Sequence, residues 1–178
     1  MIINICLLMA TLSFSNCDKK QYESYPPSNN ENIFVSETKE HLTIHSTIAD
    51  VLTHPAFDGF SRYILPLEWG YDADMQLSNV SRLLPYHNYI DAERCVGYIN
   101  QMIDSVATGL RIYYDLGRED AGLFFFRGRP GAPFAVICPG GGFSYVGSIH
   151  EGFPHALVLS QMGYNVFVIQ YQTGSAQT

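Results

Sequence analysis

The chain has 178 residues, of which 47% are hydrophobic and 15% charged, so it has enough apolar residues for one folded domain and is not an intrinsically disordered chain. Its net charge is −7 and its ten Lys and Arg residues form no basic stripe, so nucleic acid is not an expected partner. The four cysteines form no disulfide framework. Neither a zinc-type Cys/His spacing nor a nucleotide-binding loop is present, so we expect no metal and no cofactor.

The first segment of the chain, residues 1–17, is apolar and ends in small residues and Cys17. It is too short for a transmembrane helix and is typical of the apolar part of a secretion signal, although no Lys or Arg precedes it. It resembles a bacterial lipoprotein signal, which implies cleavage before Cys17, a lipid anchor on that cysteine, and a location in the cell envelope or outside the cell. Another export signal and a mis-started N-terminus are the alternatives. Residues 18–45 are predicted to form a tether, because residues 18–33 are polar; residues 34–45 alternate weakly and could instead form one edge strand.

Residues 46–109 predict a mainly helical and irregular region. Short helices are predicted at 47–52 and 75–84, each ending before a proline, and an extended run at 62–67. The clearest helix covers residues 91–107, with a good N-cap at its start and a glycine just past its end. One face of it carries an apolar stripe that predicts packing on the core, formed by Val96, Ile99, Ile103 and Val106.

Three strand-like runs come next, at 110–116, 122–126 and 134–138. A short polar turn joins the first two, which predicts an antiparallel pair. The third run is apolar at every residue, as in a strand covered on both faces, and Cys138 at its end is expected to behave as a small buried hydrophobe.

The third run leads directly into Pro139-Gly140-Gly141-Gly142-Phe143. Consecutive glycines allow bare backbone N–H groups to approach a developing negative charge, which is the arrangement of an oxyanion hole in esterases.

A helix and a strand are predicted after the glycines, at 152–162 and 164–171. Their lengths suit a parallel crossover from the third run. Ser148 and Glu151 fit the spacing of a capping box, but Pro154 suits a first helical turn and so favours a helix that begins nearer Gly152. His150 and Glu151 are not expected to form an acid/base pair, because neighbouring positions of a helix do not face each other.

Together these elements resemble the N-terminal half of an α/β-hydrolase, in the esterase and lipase-like branch with a Gly-Gly-Gly oxyanion loop that includes carbohydrate-esterase-like bacterial members. Pro139 stands where that branch often has His. The resemblance covers residues 110–178, and more weakly residues 46–109. It implies an α/β fold with an incomplete hydrolase sheet, built from an antiparallel pair and then strand, oxyanion loop, helix and strand.

The resemblance also implies roles for the loop residues. The N–H groups of Gly141 and Gly142 are the implied oxyanion donors, and Gly140 supplies the turn. Phe143 and Tyr145 line an acyl or sugar pocket, with simple packing as the alternative. The implied substrate is a small-molecule or polysaccharide ester.

The nucleophile of this family lies in a Gly-x-Ser-x-Gly elbow, followed by the acid and the His, and the 178 residues contain no such elbow. We therefore expect a truncated family member that is inactive alone and whose sheet edge at 134–138 is exposed and prone to self-association. A gene fragment, a frameshifted product and one piece of a split protein all fit. The alternative function is a non-catalytic surface lipoprotein that binds a glycan or a partner protein.

Overall fold

The structure, a computed structural model, describes residues 40–84, 86 and 90–174. The predicted signal segment with Cys17, and the predicted tether up to residue 39, lie outside the described residues. Among the described residues, no helix combines the length and the apolar character needed to cross a membrane.

The N-terminal region consists of short helical elements. Helix α1, Ile48–Thr53, begins at a capping box in which the Thr47 hydroxyl accepts from the N–H of Asp50 and the Asp50 carboxylate accepts from the N–H of Thr47. The predicted extended run at 62–67 is wrong, because the chain starts that stretch in a helical turn. Three 3-10 turns complete this region: Pro55–Phe57, Ser61–Tyr63 and Leu77–Leu83.

Helix α2, Ala92–Ala107, confirms the clearest sequence prediction. The Asp91 carboxylate accepts from the N–H of Arg94 at 3.1 Å and caps its start. The Asn100 side chain bonds both backbone groups of Leu42, at 2.9 Å each, so the last residues of the predicted tether, 40–45, lie against α2. The buried residues of α2 form one face: Cys95, Val96, Ile99, Met102 and Ile103.

The second part of the chain is a four-stranded mixed sheet with the strand order β1-β2-β4-β3. The strands are β1 Tyr113–Arg118, β2 Ala121–Phe126, β3 Phe134–Ile137 and β4 Asn165–Gln170. The predicted antiparallel pairing of β1 with β2 is confirmed, and β2 also pairs antiparallel with β4. Helix α3, Phe153–Gln161, links β3 to β4, which pair in parallel as predicted. The chain therefore has α/β character.

Only one face of the sheet, here called the inner face, belongs to the hydrophobic core. Phe124 on this face is fully buried, and its ring contacts Phe153 of α3 at 4.9 Å between centroids. The opposite face, the outer face, has no helix packed on it among the described residues. Register places these side chains on the outer face: Tyr114, Leu123, Phe125, Phe134, Val136, Phe167 and Ile169.

The prediction that the third run is covered on both faces is therefore wrong. Phe134 is 65% exposed and Val136 is 38% exposed. The reason is topological: β3 is an edge strand with one neighbour, and its outer-face side chains meet no second layer. Cys138, predicted to be buried, is exposed for the same reason.

Candidate functional site

Residues 139–147, here called the glycine loop, connect β3 to the helical crossover. The loop begins at the carboxyl end of β3, beside the carboxyl end of the parallel strand β4. Open α/β sheets bind ligands at this edge, because the connections there leave a crevice beyond the strand ends. The loop therefore lies at the edge of the sheet where open α/β sheets bind ligands, which makes it the candidate site.

Hydrogen bonds within the loop fix its backbone. The N–H of Gly147 donates to the carbonyl of Gly140 at 2.9 Å, and the N–H of Ser144 donates to the carbonyl of Gly141 at 3.0 Å. The N–H of Gly140 donates to Oε2 of Glu151 at 2.6 Å. The N–H groups of Gly141 and Gly142 have no acceptor among the described residues. They are the two groups that the sequence suggested as oxyanion donors.

The backbone conformation of the loop explains why it needs glycines. Gly141 has φ +148°, and a Cβ there would lie 1.8 Å from the carbonyl oxygen of Tyr145. Gly142 has φ +59° with open space around it, so its conformation rather than crowding favours glycine. Phe143 also has a positive φ, +61°, which is uncommon for a large side chain. Gly140 does not share this left-handed conformation; a Cβ there would lie 2.7 Å from Oε2 of Glu151.

The two aromatic residues suggested for a substrate pocket have different environments. Phe143 is 78% exposed, whereas Tyr145 is buried and its ring stacks on His150 with 6.2 Å between centroids. Two clefts of about 220 and about 410 Å³ flank the segment 110–112. Neither cleft is lined by a residue of the glycine loop, so these clefts are separate from the candidate site.

A single π-helical turn, Ser148–Gly152, follows the glycine loop and precedes α3. The N–H of Gly152 reaches back five residues to the carbonyl of Gly147, at 3.2 Å. The helix start favoured near Gly152 is confirmed, since α3 begins at Phe153. The alternative capping box is not formed, because Ser148 makes no cap hydrogen bond and its Oγ is buried with no partner among the described residues. The Glu151 carboxylate instead bonds the glycine loop. Such π-turns occur often at functional sites.

His150 and Glu151 do approach each other, contrary to expectation. Nε2 of His150 lies 3.9 Å from Oε1 of Glu151, since the wide π-turn replaces the regular helical spacing on which the expectation depended. The His150 side chain is largely buried, whereas that of Glu151 is more exposed.

Two further side chains bond the ends of the glycine loop. Oη of Tyr171, just after β4, donates to the carbonyl of Pro139 at 2.7 Å. Oε1 of Glu68, from the N-terminal region, accepts from the N–H of Val146 at 3.4 Å. Sequence reasoning missed both residues, because they lie 32 and 78 positions from their partners and belong to no motif. The only local signal was a carboxylate, Glu151, nine positions after Gly142.

Partial burial raises the pKa of several acidic side chains around the loop. Desolvation raises the pKa of Glu68 and the pKa of both Tyr145 and Tyr171. The negative charge of Glu151 raises the pKa of both tyrosines further. Loss of a proton from Glu68, Tyr145 or Tyr171 is therefore less favourable than in water.

The described part of the chain contains no group of three or more His, Cys, Asp or Glu side chains that could hold a metal ion. In the comparisons with known proteins, no family model, no curated protein and no solved structure matches the chain.

Proposed function

We propose that this chain carries the oxyanion-binding part of a carboxylic ester hydrolase of the α/β-hydrolase type. One observation supports the proposal above the others: among the described residues, the adjacent N–H groups of Gly141 and Gly142 have no acceptor, while the neighbouring Gly140 is hydrogen-bonded through both its N–H and its carbonyl. Donors fixed before the reaction cost no reorganisation when charge develops.

In the proposed reaction, these N–H groups donate to the carbonyl oxygen of the ester as it becomes an alkoxide. Each such donor is worth on the order of 3 kcal/mol in the transition state. The substrate is a small-molecule or polysaccharide ester outside the cell, with the protein held at the membrane by a lipid on Cys17. The 178 residues contain no Gly-x-Ser-x-Gly elbow, so the nucleophile, the acid and the His come from polypeptide outside them.

A second function, glycan binding without catalysis, is favoured by one specific observation. Trp69 and Tyr86 are 50% and 81% exposed, and their rings meet edge to face at 6.2 Å. Exposed aromatic rings of this kind are suited to packing against the apolar face of a sugar ring.

The coding DNA downstream of Thr178 distinguishes the two functions. If that DNA encodes a Gly-x-Ser-x-Gly segment, the product that includes it is expressed and assayed with p-nitrophenyl acetate. We expect turnover by this product and none by the 178-residue chain. A downstream stop with no such coding sequence, or turnover by the 178-residue chain that is lost on substitution of Ser148, would contradict the hydrolase proposal.

Gly142→Ala in the active product tests the donor itself. The substitution strains a residue with φ +59° without a steric clash, so we expect kcat to fall roughly 100-fold as the N–H moves. Gly131→Ala is the matched control, because Gly131 also has a positive φ, +72°, and open space, but lies between β2 and β3. Equal effects of the two substitutions would show a general backbone effect and count against the donor role.

A further inference from the structure

Gly140 is held in the glycine loop by hydrogen bonds to both of its backbone groups. Its carbonyl accepts from the N–H of Gly147, and its own N–H donates to Oε2 of Glu151 at 2.6 Å. The next two residues, Gly141 and Gly142, carry N–H groups that have no acceptor in the described part of the chain. The orientation of these two groups therefore depends on how firmly Gly140 is held.

The Glu151 side chain also explains the glycines at two positions that need no left-handed backbone. Gly147 has φ −75°, and Gly140 is not among the residues with positive φ. A Cβ at Gly140 would lie 2.7 Å from Oε2 of Glu151, and a Cβ at Gly147 would lie 3.2 Å from its Cδ. A Cβ at Gly147 would also lie 3.2 Å from Cε1 of His150, so Gly140 leaves room for the carboxylate and Gly147 leaves room for both side chains of the π-turn.

No other side chain of the described residues bonds residues 140–142. Tyr171 and Glu68 bond Pro139 and Val146, at the two ends of the loop. The π-turn aims Glu151 at the centre of the loop, in place of the capping role that its spacing from Ser148 predicted.

We propose that Glu151 is a positioning residue, which holds Gly140 so that the N–H groups of Gly141 and Gly142 face the acyl oxygen; this role rests on the proposed function. The charge of the carboxylate is not what the reaction needs, because a negative group near the forming alkoxide opposes it. What Glu151 supplies is a well-placed hydrogen-bond acceptor. A glutamine side chain keeps an acceptor oxygen in nearly the same place.

Hydrogen–deuterium exchange of the 178-residue chain tests the holding role without any catalysis. In Glu151→Ala, the Gly140 amide, followed in peptides that span 138–147, is expected to exchange about tenfold faster, the size of a lost charge-assisted hydrogen bond. Glu151→Gln is expected to restore slow exchange. Glu119→Ala, at the exposed β1–β2 turn, is the control, and peptides that span 113–126 report any general loosening. Unchanged exchange at Gly140 in Glu151→Ala would overturn the inference.

Kinetics of the active product separate positioning from proton transfer. A positioning role predicts that Glu151→Ala lowers kcat roughly 10- to 100-fold with little change in KM, and that Glu151→Gln recovers most of the activity. Equal losses in both variants would assign proton transfer to Glu151 and overturn the positioning role. Absence of turnover in every protein, the unsubstituted one included, would refute the proposed function, while the exchange result would still decide whether Glu151 holds Gly140.

Discussion

The two faces of the sheet carry similar aromatic side chains but differ in what packs on them. On the inner face, Phe124 and Phe153 are fully buried against each other. On the outer face, Phe125 stacks on Phe167 with 4.9 Å between centroids, yet both rings stay partly exposed and Phe134 is 65% exposed. Aromatic content alone therefore does not identify a core; the connections that bring helices to one face do.

The elements that pack on the inner face also contact the candidate site, whereas the outer face carries a separate aromatic surface. Glu151 of the π-turn bonds the glycine loop. The π-turn leads into α3, which packs on the inner face. The outer face contributes an aromatic row across all four strands: Tyr114, Phe125, Phe167 and Phe134. Contiguous exposed apolar surface of this kind is typical of an interaction site.

The largest expected difference between the faces is in stability. Phe124→Ala removes a fully buried ring and is expected to lower the free energy of unfolding by about 3–5 kcal/mol. Phe167→Ala removes a partly exposed ring and is expected to cost about 1–2 kcal/mol. Urea unfolding followed by circular dichroism measures both. Equal costs would mean that the outer face is covered in solution, and the comparison would fail.

Two neighbouring residues of the edge strand β3 allow a more direct comparison of the two faces, because their side chains point to opposite faces. Ala135 packs against the core, so Ala135→Lys is expected to cost roughly 2–3 kcal/mol for an ammonium group placed in apolar surroundings. Val136 lies on the outer face, so Val136→Lys is expected to change stability by no more than about 0.5 kcal/mol.

Val136→Lys also tests self-association. We expect copies of the chain to pair through the open, uncharged edge of β3, and a lysine there weakens edge-to-edge pairing. The association constant from sedimentation is expected to fall roughly tenfold or more. If the constant stays the same in Val136→Lys while the fold is intact, the copies associate through another surface.

The sequence predicted the elements whose signals are local. Helix α2 has its cap and its stripe within 17 positions, and the β1–β2 pair needs only two strands and a short turn, so both predictions are confirmed. Burial of β3 was mispredicted because an apolar run does not reveal how many layers will cover it. The exposed edge at 134–138 was expected from the family's strand order and is confirmed, whereas the missing second layer on the outer face was not expected.

The site was predictable only in its backbone part. Three glycines after a strand predict exposed N–H groups, and no described residue accepts from the N–H of Gly141 or Gly142, but their role as oxyanion donors stays a prediction. The side chains that hold the loop were not predictable, because a hydrogen bond from Glu68 or Tyr171 to a backbone group leaves no pattern in the sequence. The π-turn adds one residue to a helical turn, and the regular spacing used for His150 and Glu151 fails there.

The smallest expected difference between the faces is in pH dependence, at neighbouring tyrosines of β1. Tyr113 faces the core, where desolvation raises its pKa from 10.0 to about 12. Above the ordinary pKa, the unfolded chain loses this proton while the folded chain keeps it. The stability that Tyr113 contributes is therefore complete below pH 10 and decreases as the pH rises toward 12.

Tyr113→Phe removes this titration and so is expected to lose less stability than the unsubstituted chain between about pH 9 and about pH 11. Tyr114→Phe is the matched control: it removes one hydroxyl from the outer face, keeps Tyr113, and retains the full decrease. The tyrosines other than these two are the same in all three proteins, so the quantity compared is the change in the free energy of unfolding between the two pH values, measured by urea unfolding. If both variants lose the same stability between the two pH values, the inner face at β1 is as exposed to solvent as the outer face. The contrast between the two faces then does not extend to this end of the sheet.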